Sequence, residues 1–300
     1  MMIHDLNELI NRAKQLPAKR VAVAAAEDEN VLKSIQNAYS EGIIIPLLVG
    51  DSEKIKKIAH HINFDLTNVE VFDSSDKEDS SVGIAVDLIR SGKADILMKG
   101  LISTSDLMKG VLNKERGLPI KHLLSHVALF ESPYYHKVFC VTDVAMNIAP
   151  DLDSKVKILN NAVGVFHHLG IEVPKVAIAA AVEKKNPRME ATVHAAEMKK
   201  MNESGVIKGC IVDGPLAMDL AVNREAALNK GVVSDVAGDC DIILVPDIEA
   251  GNMVYKTLNF LGGAKSAAII TGASVPIVLT SRADDDKTKL QSIALASLMV

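Results

Sequence analysis

Aromatic side chains are scarce in this sequence, and so are regularly spaced cysteines and long apolar runs. Aromatic residues make up 3% of the chain and Trp is absent, which argues against a surface that stacks nucleic-acid bases. The three cysteines, Cys140, Cys210 and Cys240, are far apart and follow no zinc-binding spacing. We therefore expect neither a disulfide framework nor a structural metal, and this cysteine usage is typical of a reducing cytoplasm.

Membrane segments and basic clusters are lacking as well. No run of 18 apolar residues occurs, so no transmembrane helix is predicted, and the charged N-terminal stretch lacks the apolar segment of a signal peptide. The net charge is −5, and the 33 basic residues are spread along the chain. We therefore predict neither a nucleic-acid partner nor a membrane partner, while local anion sites stay open.

What the sequence does contain is a regular alternation of strand-like and helix-like segments. It has 300 residues, 48% of them hydrophobic, and at roughly 150 residues per domain this length indicates about two domains. The short apolar run Val21–Ala26 precedes Val31, Leu32, Ile35 and Ala38, which follow helical spacing. This pattern predicts an α/β protein with mostly parallel sheets. The other predicted strands are Ile43–Val49, Val69–Phe72, Ala94–Met98, Val127–Phe130, Val138–Thr142, Val176–Ala180, Ile207–Val212, Ile242–Val245, Ala267–Ile270 and Ile277–Thr280.

Domain boundaries have to fall within structured chain, because the sequence contains no low-complexity linker. The stretch 132–136 is the predicted first crossing, and the turn at 272–274 is the predicted return. We therefore predict a discontinuous domain I, residues 1–137 plus 276–300. Domain II is predicted to span residues 138–275.

One candidate anion site follows the predicted strand Ala94–Met98. Ligands of open parallel sheets bind beyond the carboxyl ends of the strands. Lys99 lies at that point, and Ser103 and Thr104 open the next helix, whose N-terminal amides suit a phosphate. Lys109 adds a positive charge about one turn later. The alternative is a capping box, Ser103-x-x-Asp106, with Lys99 in solvent.

Other polar residues follow the later strands and have two interpretations each. Ser281-Arg282 follows the last strand, and Arg matches phosphate geometry bidentately; alternatively Arg282 pairs with a following aspartate. Asp247-x-Glu249 is a possible metal ligand pair, but carboxylates at this place more often cap a helix. His122 and His126 have i,i+4 spacing, and without a third ligand nearby we interpret them as ordinary helix residues.

Five segments together resemble the phosphate acetyl/butyryltransferase family, in the order of that family. They cover about residues 90–290, and the PDIEAGNMVYK and SRAD segments are the most specific. Within the family, the short chain and the closing LTSRADD segment resemble the butyryl branch. The segments are MKGLISTSDLMKGVL, VTDVAMNIAP, VDGPLAMDLAV, DIILVPDIEAGNMVYKTLNFLGGA and PIVLTSRADDD.

The resemblance implies a fold and a set of site residues. The family fold has two α/β domains, similar to the isocitrate and isopropylmalate dehydrogenases, with the active-site cleft between the domains. The family's Ser-Arg pair at the active centre matches Ser281-Arg282. Lys109 takes the place of a family Arg that helps to hold phosphate or coenzyme A; charge is kept, but Lys lacks the bidentate fork. In the segments that carry the resemblance, the predicted substrate-binding residues are Lys99, Ser103, Thr104, Lys109, Asp213, Gly251 and Asn252.

The carboxylate that acts on the thiol does not stand at the family's position. That position, six residues after the motif Arg, is Thr288 here. Asp284, Asp285 and Asp286 lie nearby, and we take Asp286 as the candidate general base, with Ser281 and Arg282 as the other catalytic residues.

The predicted function is reversible transfer of a butanoyl group between coenzyme A and phosphate, by direct transfer in a ternary complex. No metal and no redox cofactor is expected, and the resemblance implies a homodimer or a higher homo-oligomer. A phosphate acetyltransferase is the first alternative. A metal- and NAD-dependent hydroxyacid dehydrogenase on the same fold and a catalytically silent coenzyme A-binding protein are the others.

Overall fold

The computed structural model describes residues 3–75, 80–279 and 285–300, and within them it shows alternating strands and helices. A strand lies at each of the eleven places where the apolar runs predict one. The strands are β1 (Lys19–Ala24), β2 (Ile44–Gly50), β3 (Glu70–Asp73), β4 (Ile96–Lys99), β5 (Ile120–Glu131), β6 (Phe139–Thr142), β7 (Lys175–Ala179), β8 (Ile211–Leu216), β9 (Ile242–Leu244), β10 (Lys265–Ala273) and β11 (Ile277–Val278). The helices are α1 (Asn7–Ala13), α2 (Glu29–Ser40), α3 (Ser52–His61), α4 (Ser81–Arg90), α5 (Thr104–Val111), α6 (Leu152–His168), α7 (Glu190–Glu203), α8 (Met218–Val222), α9 (Arg224–Asn229), α10 (Ile248–Phe260) and α11 (Asp286–Ser297).

The chain forms two compact units. Unit 1 consists of Met1–Leu6 and Leu123–Ser266, and unit 2 consists of Asn7–His122 and Ala267–Val300. The domain boundaries inferred from the sequence, after residues 137 and 275, stay a prediction.

The sheet of unit 2 is parallel except at one strand. Its order is β3-β2-β1-β4-β11-β10, with β10 antiparallel to β11 and the other neighbours parallel. The chain runs outward from β1 to β3 and then returns to the other side of β1 for β4. The carboxyl ends of β1 and β4 therefore mark the point where the strand order reverses, which is where open α/β sheets bind ligands.

The strands of unit 1 have the order β5-β6-β9-β7-β8. Strands β6, β9, β7 and β8 are parallel, and β5 runs antiparallel to β6. Strand β9 lies between β6 and β7 although it follows them in sequence, so this unit has a reversal of its own. The α/β class with mostly parallel sheets is thus confirmed, because buried apolar runs separated by amphipathic helices bury both faces of each sheet.

Two details of the sequence-based interpretation are wrong. His122 and His126 lie on strand β5 and not on a helix. Strand β8 begins at Ile211 rather than at Ile207, because Gly209 has a φ of 75° and breaks the extended conformation. As a result Asp213 lies within the strand and not after it.

A network of charges joins the amino ends of β6, β7 and β9. The buried ammonium of Lys137 lies 2.7 Å from the Asp241 carboxylate and 3.1 Å from the Asp239 carboxylate. Lys175 contacts Asp239 at 2.5 Å, and its backbone N–H donates to Asp241. His136 is 2.8 Å from Asp239. Each buried charge here has a partner, so removal of one partner would leave an uncompensated charge and destabilise the fold.

Within the described part of the chain, no helix is long and apolar enough to cross a membrane.

The charge network predicts a loss of stability in acid. Burial alone would raise the pKa of Asp239, but hydrogen bonds from Lys175, His136 and Lys137 outweigh it and hold the pKa well below its usual range. A carboxylate of this kind contributes stability above its unfolded pKa, near 4, and this contribution is lost as the pH falls further. We expect Asp239→Asn to lower the free energy of unfolding by about 2 kcal/mol at pH 7, and the gap to wild type to shrink below about pH 4.

Urea unfolding between pH 3 and pH 8 measures this gap. Asp153→Asn is the matched control, because Asp153 is mostly exposed and its ion-pair partner among the described residues is Lys157 on the same helix; such pairs contribute little. A gap for Asp239→Asn that stays constant from pH 8 to pH 3 would contradict the assignment.

Candidate active site

Backbone contacts fix the chain where β4 ends beside β1. The N–H of Gly100 donates to Ala24 O at 2.8 Å, and the N–H of Leu101 donates to Ala25 O at 2.6 Å. A Cβ on Gly100 would lie 2.6 Å from Ala24 O, closer than real Cβ atoms come, so only glycine allows this approach. The sequence therefore sets Lys99 at the reversal point of the strand order in unit 2.

The Lys99 side chain is buried at this point. Its ammonium donates to the carbonyl oxygens of Gly100 at 3.2 Å and Ile102 at 3.0 Å. The loop between β4 and α5 is thus wrapped around a positive charge, and the alternative that leaves Lys99 in solvent is wrong. An anion that reaches this loop meets a cation already held in place.

The start of α5 shows the predicted capping box. Ser103 Oγ accepts from the Asp106 N–H at 3.0 Å and donates to the Asp106 carboxylate at 2.7 Å. Lys109 is exposed and pairs with Asp106 at 2.9 Å, while Thr104 lies exposed in the first turn. The hydroxyl of Ser103 is therefore committed to the helix, and anion binding by Ser103, Thr104 and Lys109 stays a prediction.

The last predicted site segment is described only in part. Ser281, Arg282 and Asp284 lie outside the described residues. Asp285 caps α11 by accepting from the Thr288 N–H at 2.7 Å, and this hydrogen bond lowers the pKa of Asp285. Asp286 is exposed as the first residue of α11. Of Asp285 and Asp286, the two candidate aspartates that the structure describes, Asp285 is the one whose carboxylate caps the helix.

In unit 1 the carboxyl end of β6 turns around the buried carboxylate of Asp143. Its oxygens accept from the N–H groups of Ala145 at 2.9 Å, Met146 at 3.0 Å and Asn147 at 3.2 Å. The Asn147 amide nitrogen also donates to Asp143 and to Leu124 O of β5. A single carboxylate thus satisfies the donors of an entire turn, which fixes the loop at this strand end.

Helix α10 packs directly against that turn through Gly251. A Cβ on Gly251 would lie 2.6 Å from Asp143 O and 3.0 Å from Val144 Cα. The neighbouring Asn252 donates from its side chain to Val144 O at 3.3 Å. Asp247 caps α10 by accepting from the Ala250 N–H, as the capping alternative predicts. Gly251 and Asn252 therefore hold α10 at the end of β6, and substrate binding by them stays a prediction.

Asp213 has a partner of its own. Its carboxylate accepts from Lys199 of α7 at 2.6 Å and from the N–H of Gly214 at 2.8 Å. It lies inside β8 and joins this strand to α7. A role for Asp213 in substrate binding remains a prediction.

Sequence reasoning missed a buried pair, Lys155 and His194. Lys155 Nζ lies 3.0 Å from His194 Nδ1, and Lys155 is only 4% exposed. The sequence does contain a pattern that indicates the burial of Lys155, because Lys155 precedes the buried Ile158 by three residues and Leu159 by four. Helical spacing therefore places this lysine on the face of α6 that packs inward.

The described residues do not form a metal-binding cluster. Within residues 3–75, 80–279 and 285–300, no group of three or more His, Cys, Asp or Glu side chains is arranged to hold a metal ion.

Comparison with known proteins now decides the family. The family model described as "Phosphate acetyl/butaryl transferase" matches residues 5–82 and 77–297. A phosphate butyryltransferase from Clostridium acetobutylicum is 47% identical over 298 residues, which is 99% of each chain. A phosphate acetyltransferase from Thermotoga maritima is 42% identical over 98% of this chain and 99% of its own. The chain belongs to the phosphate acetyl/butyryltransferase family. The family resemblance and the acyltransferase class predicted from the sequence are thereby confirmed.

Solved structures agree with this assignment. A branched-chain phosphotransacylase from Enterococcus faecalis superposes with a TM-score of 0.82 at 35% identity, covering 94% of this chain and 98% of that one. A 4-hydroxythreonine-4-phosphate dehydrogenase from Burkholderia phymatum gives a TM-score of 0.54 at 13% identity, covering 94% of this chain and 98% of that one. This second likeness shows the fold alone, so the dehydrogenase alternative is not favoured.

The packing of Gly251 predicts a sharp difference between two glycine substitutions. Gly251→Ala places a methyl group against the backbone of Asp143 and Val144, so we expect a loss of about 1–3 kcal/mol in the free energy of unfolding. Gly164 is also helical, but a Cβ there would meet nothing within 4 Å. Gly164→Ala should be neutral or stabilise by about 0.5–1 kcal/mol.

Thermal or urea unfolding of the two variants measures the difference. Because both gain the helix propensity of alanine, the gap between them isolates the packing at Gly251. Equal stabilities would contradict the close approach of α10 to Asp143.

Proposed function

We propose that this protein catalyses the reversible reaction of butanoyl-coenzyme A with phosphate to give butanoyl phosphate and coenzyme A. The observation that carries this proposal is the 47% identity to a phosphate butyryltransferase along 99% of both chains. The substrates are thus coenzyme A and phosphate, and the proposed chemistry calls for no resident cofactor. The proposed place of action is the cytoplasm, and the proposed assembly is a homodimer or a higher homo-oligomer.

Acetyl transfer is the second candidate, favoured by the 42% identity to a phosphate acetyltransferase. One methylene in an apolar pocket changes transition-state binding by only about 1–3 kcal/mol. A single side chain can therefore shift the preferred acyl chain.

In the proposed mechanism, both substrates bind together and a phosphate oxygen attacks the thioester carbonyl carbon. The C–S bond then breaks, and coenzyme A leaves as a thiolate that takes up a proton. Negative charge builds on the carbonyl oxygen, where Arg282 is proposed to stabilise it, while Ser281 hydrogen-bonds the sulfur or the carbonyl oxygen. Lys99 and Lys109 are proposed to attract the polyanionic substrates. The burial of the Lys99 ammonium at the carboxyl end of β4, where its own loop holds it in place, supports this role.

The reverse direction needs a base for the coenzyme A thiol. With a pKa near 8.5, only a small fraction of such a thiol is ionised at neutral pH. Asp286 is proposed as the base. This choice is supported by the state of its neighbour, because Asp285 caps α11 and has a lowered pKa, which makes it a weaker proton acceptor.

Loss of free thiol on mixing coenzyme A with acyl phosphates tests the proposed reaction. We expect the highest kcat/KM with butanoyl phosphate, then propanoyl phosphate, then acetyl phosphate. Arg282→Ala should lower the rate about 100-fold or more, since losing one such donor raises the barrier by roughly 3–4 kcal/mol. If kcat/KM is highest with acetyl phosphate, the acetyltransferase candidate is selected. If Arg282→Ala keeps a rate within a few-fold of wild type, Arg282 does not stabilise the transition state.

Substitution of the two neighbouring aspartates separates the base from the helix cap. Asp286→Asn should lower kcat for coenzyme A plus butanoyl phosphate about 10²–10⁴-fold, the usual range for a general base, with unchanged thermal stability. Asp285→Ala removes a cap and should lower stability by about 1 kcal/mol, with a rate close to wild type. If Asp286→Asn keeps more than a third of the activity, Asp286 is not the base.

A further inference from the structure

Three helices of unit 1 begin at the carboxyl edge of its parallel strands. Helix α6 follows β6, α7 follows β7, and α10 follows β9. Lys155 lies at the end of the first turn of α6, and His194 lies in the second turn of α7. Their side chains meet with 3.0 Å between Nζ and Nδ1. The pair therefore lies at the edge where ligands of parallel sheets bind.

The ammonium of Lys155 lacks the anionic partner that a buried charge normally has. Lys155 is 4% exposed, and within the described residues no carboxylate lies within 4 Å of it. Its only hydrogen-bond partner there is His194, although an ammonium has three donors. Buried lysines are rare unless they are paired, so the arrangement calls for an anion.

The nearest carboxylates are engaged elsewhere. Asp151 and Asp247 each accept a backbone N–H at 2.8 Å, from Ser154 and Ala250, and so cap α6 and α10. Glu190 is mostly exposed and lies 3.9 Å from His194 Nε2. These three carboxylates act on Lys155 only through longer-range attraction.

Nearby carboxylates favour the charged form of Lys155, whereas its burial opposes that form. Burial lowers the pKa of Lys155, and Glu190, Asp247 and Asp151 raise it in part. Burial, and then the charge of Lys155, lower the pKa of His194, again partly opposed by Glu190 and Asp151. At neutral pH His194 is therefore neutral, and its Nδ1 accepts a hydrogen bond from the ammonium. The positive ends of the helix dipoles at this edge add to the same positive potential.

The start of α7 offers further donors beside the pair. Its N-cap residue is Met189, which makes no side-chain cap. The N–H groups of Thr192 and Val193 both point to Met189 O. The N–H groups of Glu190 and Ala191 have no acceptor among the residues that the structure describes.

We propose that the Lys155 ammonium, held in place by His194, binds a phosphate group of a substrate, with the first amides of α7 as additional donors. Lys155 is then a binding residue and His194 a positioning residue. This inference rests on the proposed function for its ligand. The group is either inorganic phosphate, which becomes the phosphoryl group of the acyl phosphate, or a phosphate of coenzyme A. In the loop before α7, the exposed Lys184 and Arg188 add positive charge that suits a polyanion.

Steady-state kinetics of Lys155→Met tests the binding role. Methionine keeps most of the stem and removes the charge. Lys157→Met is the matched control, because Lys157 lies on the same helix but its side chain is 40% exposed and pairs with Asp153. Loss of a hydrogen bond to a charged group corresponds to a rise in KM of about ten- to a hundredfold. We expect this rise for one phosphate-bearing substrate in Lys155→Met and none in Lys157→Met.

The choice of substrates identifies the source of the phosphate group. A rise in the KM for inorganic phosphate alone assigns Lys155 to the phosphate that is transferred. A rise in the KM for coenzyme A, together with loss of the preference over 3′-dephospho-coenzyme A, assigns it to the 3′-phosphate. If the KM rises for both coenzyme A and 3′-dephospho-coenzyme A and the preference for coenzyme A is kept, Lys155 binds the diphosphate. If every KM in Lys155→Met stays within twofold of the Lys157→Met control, the inference is wrong.

Two substitutions at His194 distinguish positioning from packing. His194→Gln keeps a hydrogen-bond acceptor and should hold the same KM within a few-fold of wild type, whereas His194→Leu should raise it. A KM that stays at the wild-type value in His194→Leu, with only the melting temperature lowered, would show that His194 has a purely structural role.

Ligand protection provides a readout that needs no catalysis. A ligand that binds only the folded state raises the melting temperature. Inorganic phosphate, coenzyme A and 3′-dephospho-coenzyme A are added to wild type, Lys155→Met and Lys155→Gln at constant ionic strength. We expect at least one of these ligands to protect wild type and Lys157→Met but neither Lys155 variant. Lys155-dependent protection without acyl transfer would refute the proposed function alone, and acyl transfer with unchanged protection in the Lys155 variants would refute this inference alone.

Discussion

The carboxyl edge of unit 1 depends on the buried carboxylate of Asp143. This one group accepts hydrogen bonds from three successive backbone amides and from the Asn147 side chain. Asn147 in turn donates to Leu124 O of β5. Gly251 brings α10 against the carbonyl oxygen of Asp143. The Asp143 carboxylate thus connects the turn after β6 to β5 through Asn147, while the backbone carbonyl of Asp143 contacts α10. A buried carboxylate with this many donors has little freedom to move.

The strands were predictable because a buried parallel strand needs a continuous apolar run, and each run in the sequence matches a strand. The errors have definite physical causes. An apolar run does not reveal a glycine with positive φ, so β8 was placed too early, across Gly209. His122 and His126 were assigned to a helix because i,i+4 residues share a helix face, but residues four apart also share one face of a strand. Spacing alone cannot separate these two cases.

The candidate site was predictable in position but not in the state of its side chains. Polar residues that follow parallel strands lie at the carboxyl edge of their own sheet, which is why the sequence predicts Lys99 in unit 2 and Asp247 in unit 1 as candidates. Which of them are committed to the backbone depends on geometry: Asp247 caps a helix, and Lys99 donates to two carbonyls of its own loop. The Lys155–His194 pair was missed because helix faces were traced through apolar residues only, and a buried lysine does not belong to that pattern.

The buried lysines at the two edges of the unit 1 strands differ in their ion-pair partners. At the amino edge, Lys137 lies between Asp239 and Asp241, so its charge is compensated within the fold. At the carboxyl edge, the neutral ring of His194 is the only group among the described residues within hydrogen-bond distance of the Lys155 ammonium. A buried ammonium whose carboxylate neighbours act only at longer range destabilises the ligand-free state, and binding of an anion would relieve this destabilisation. In the proposed binding of a phosphate group, this relief couples substrate affinity to the stability of the fold.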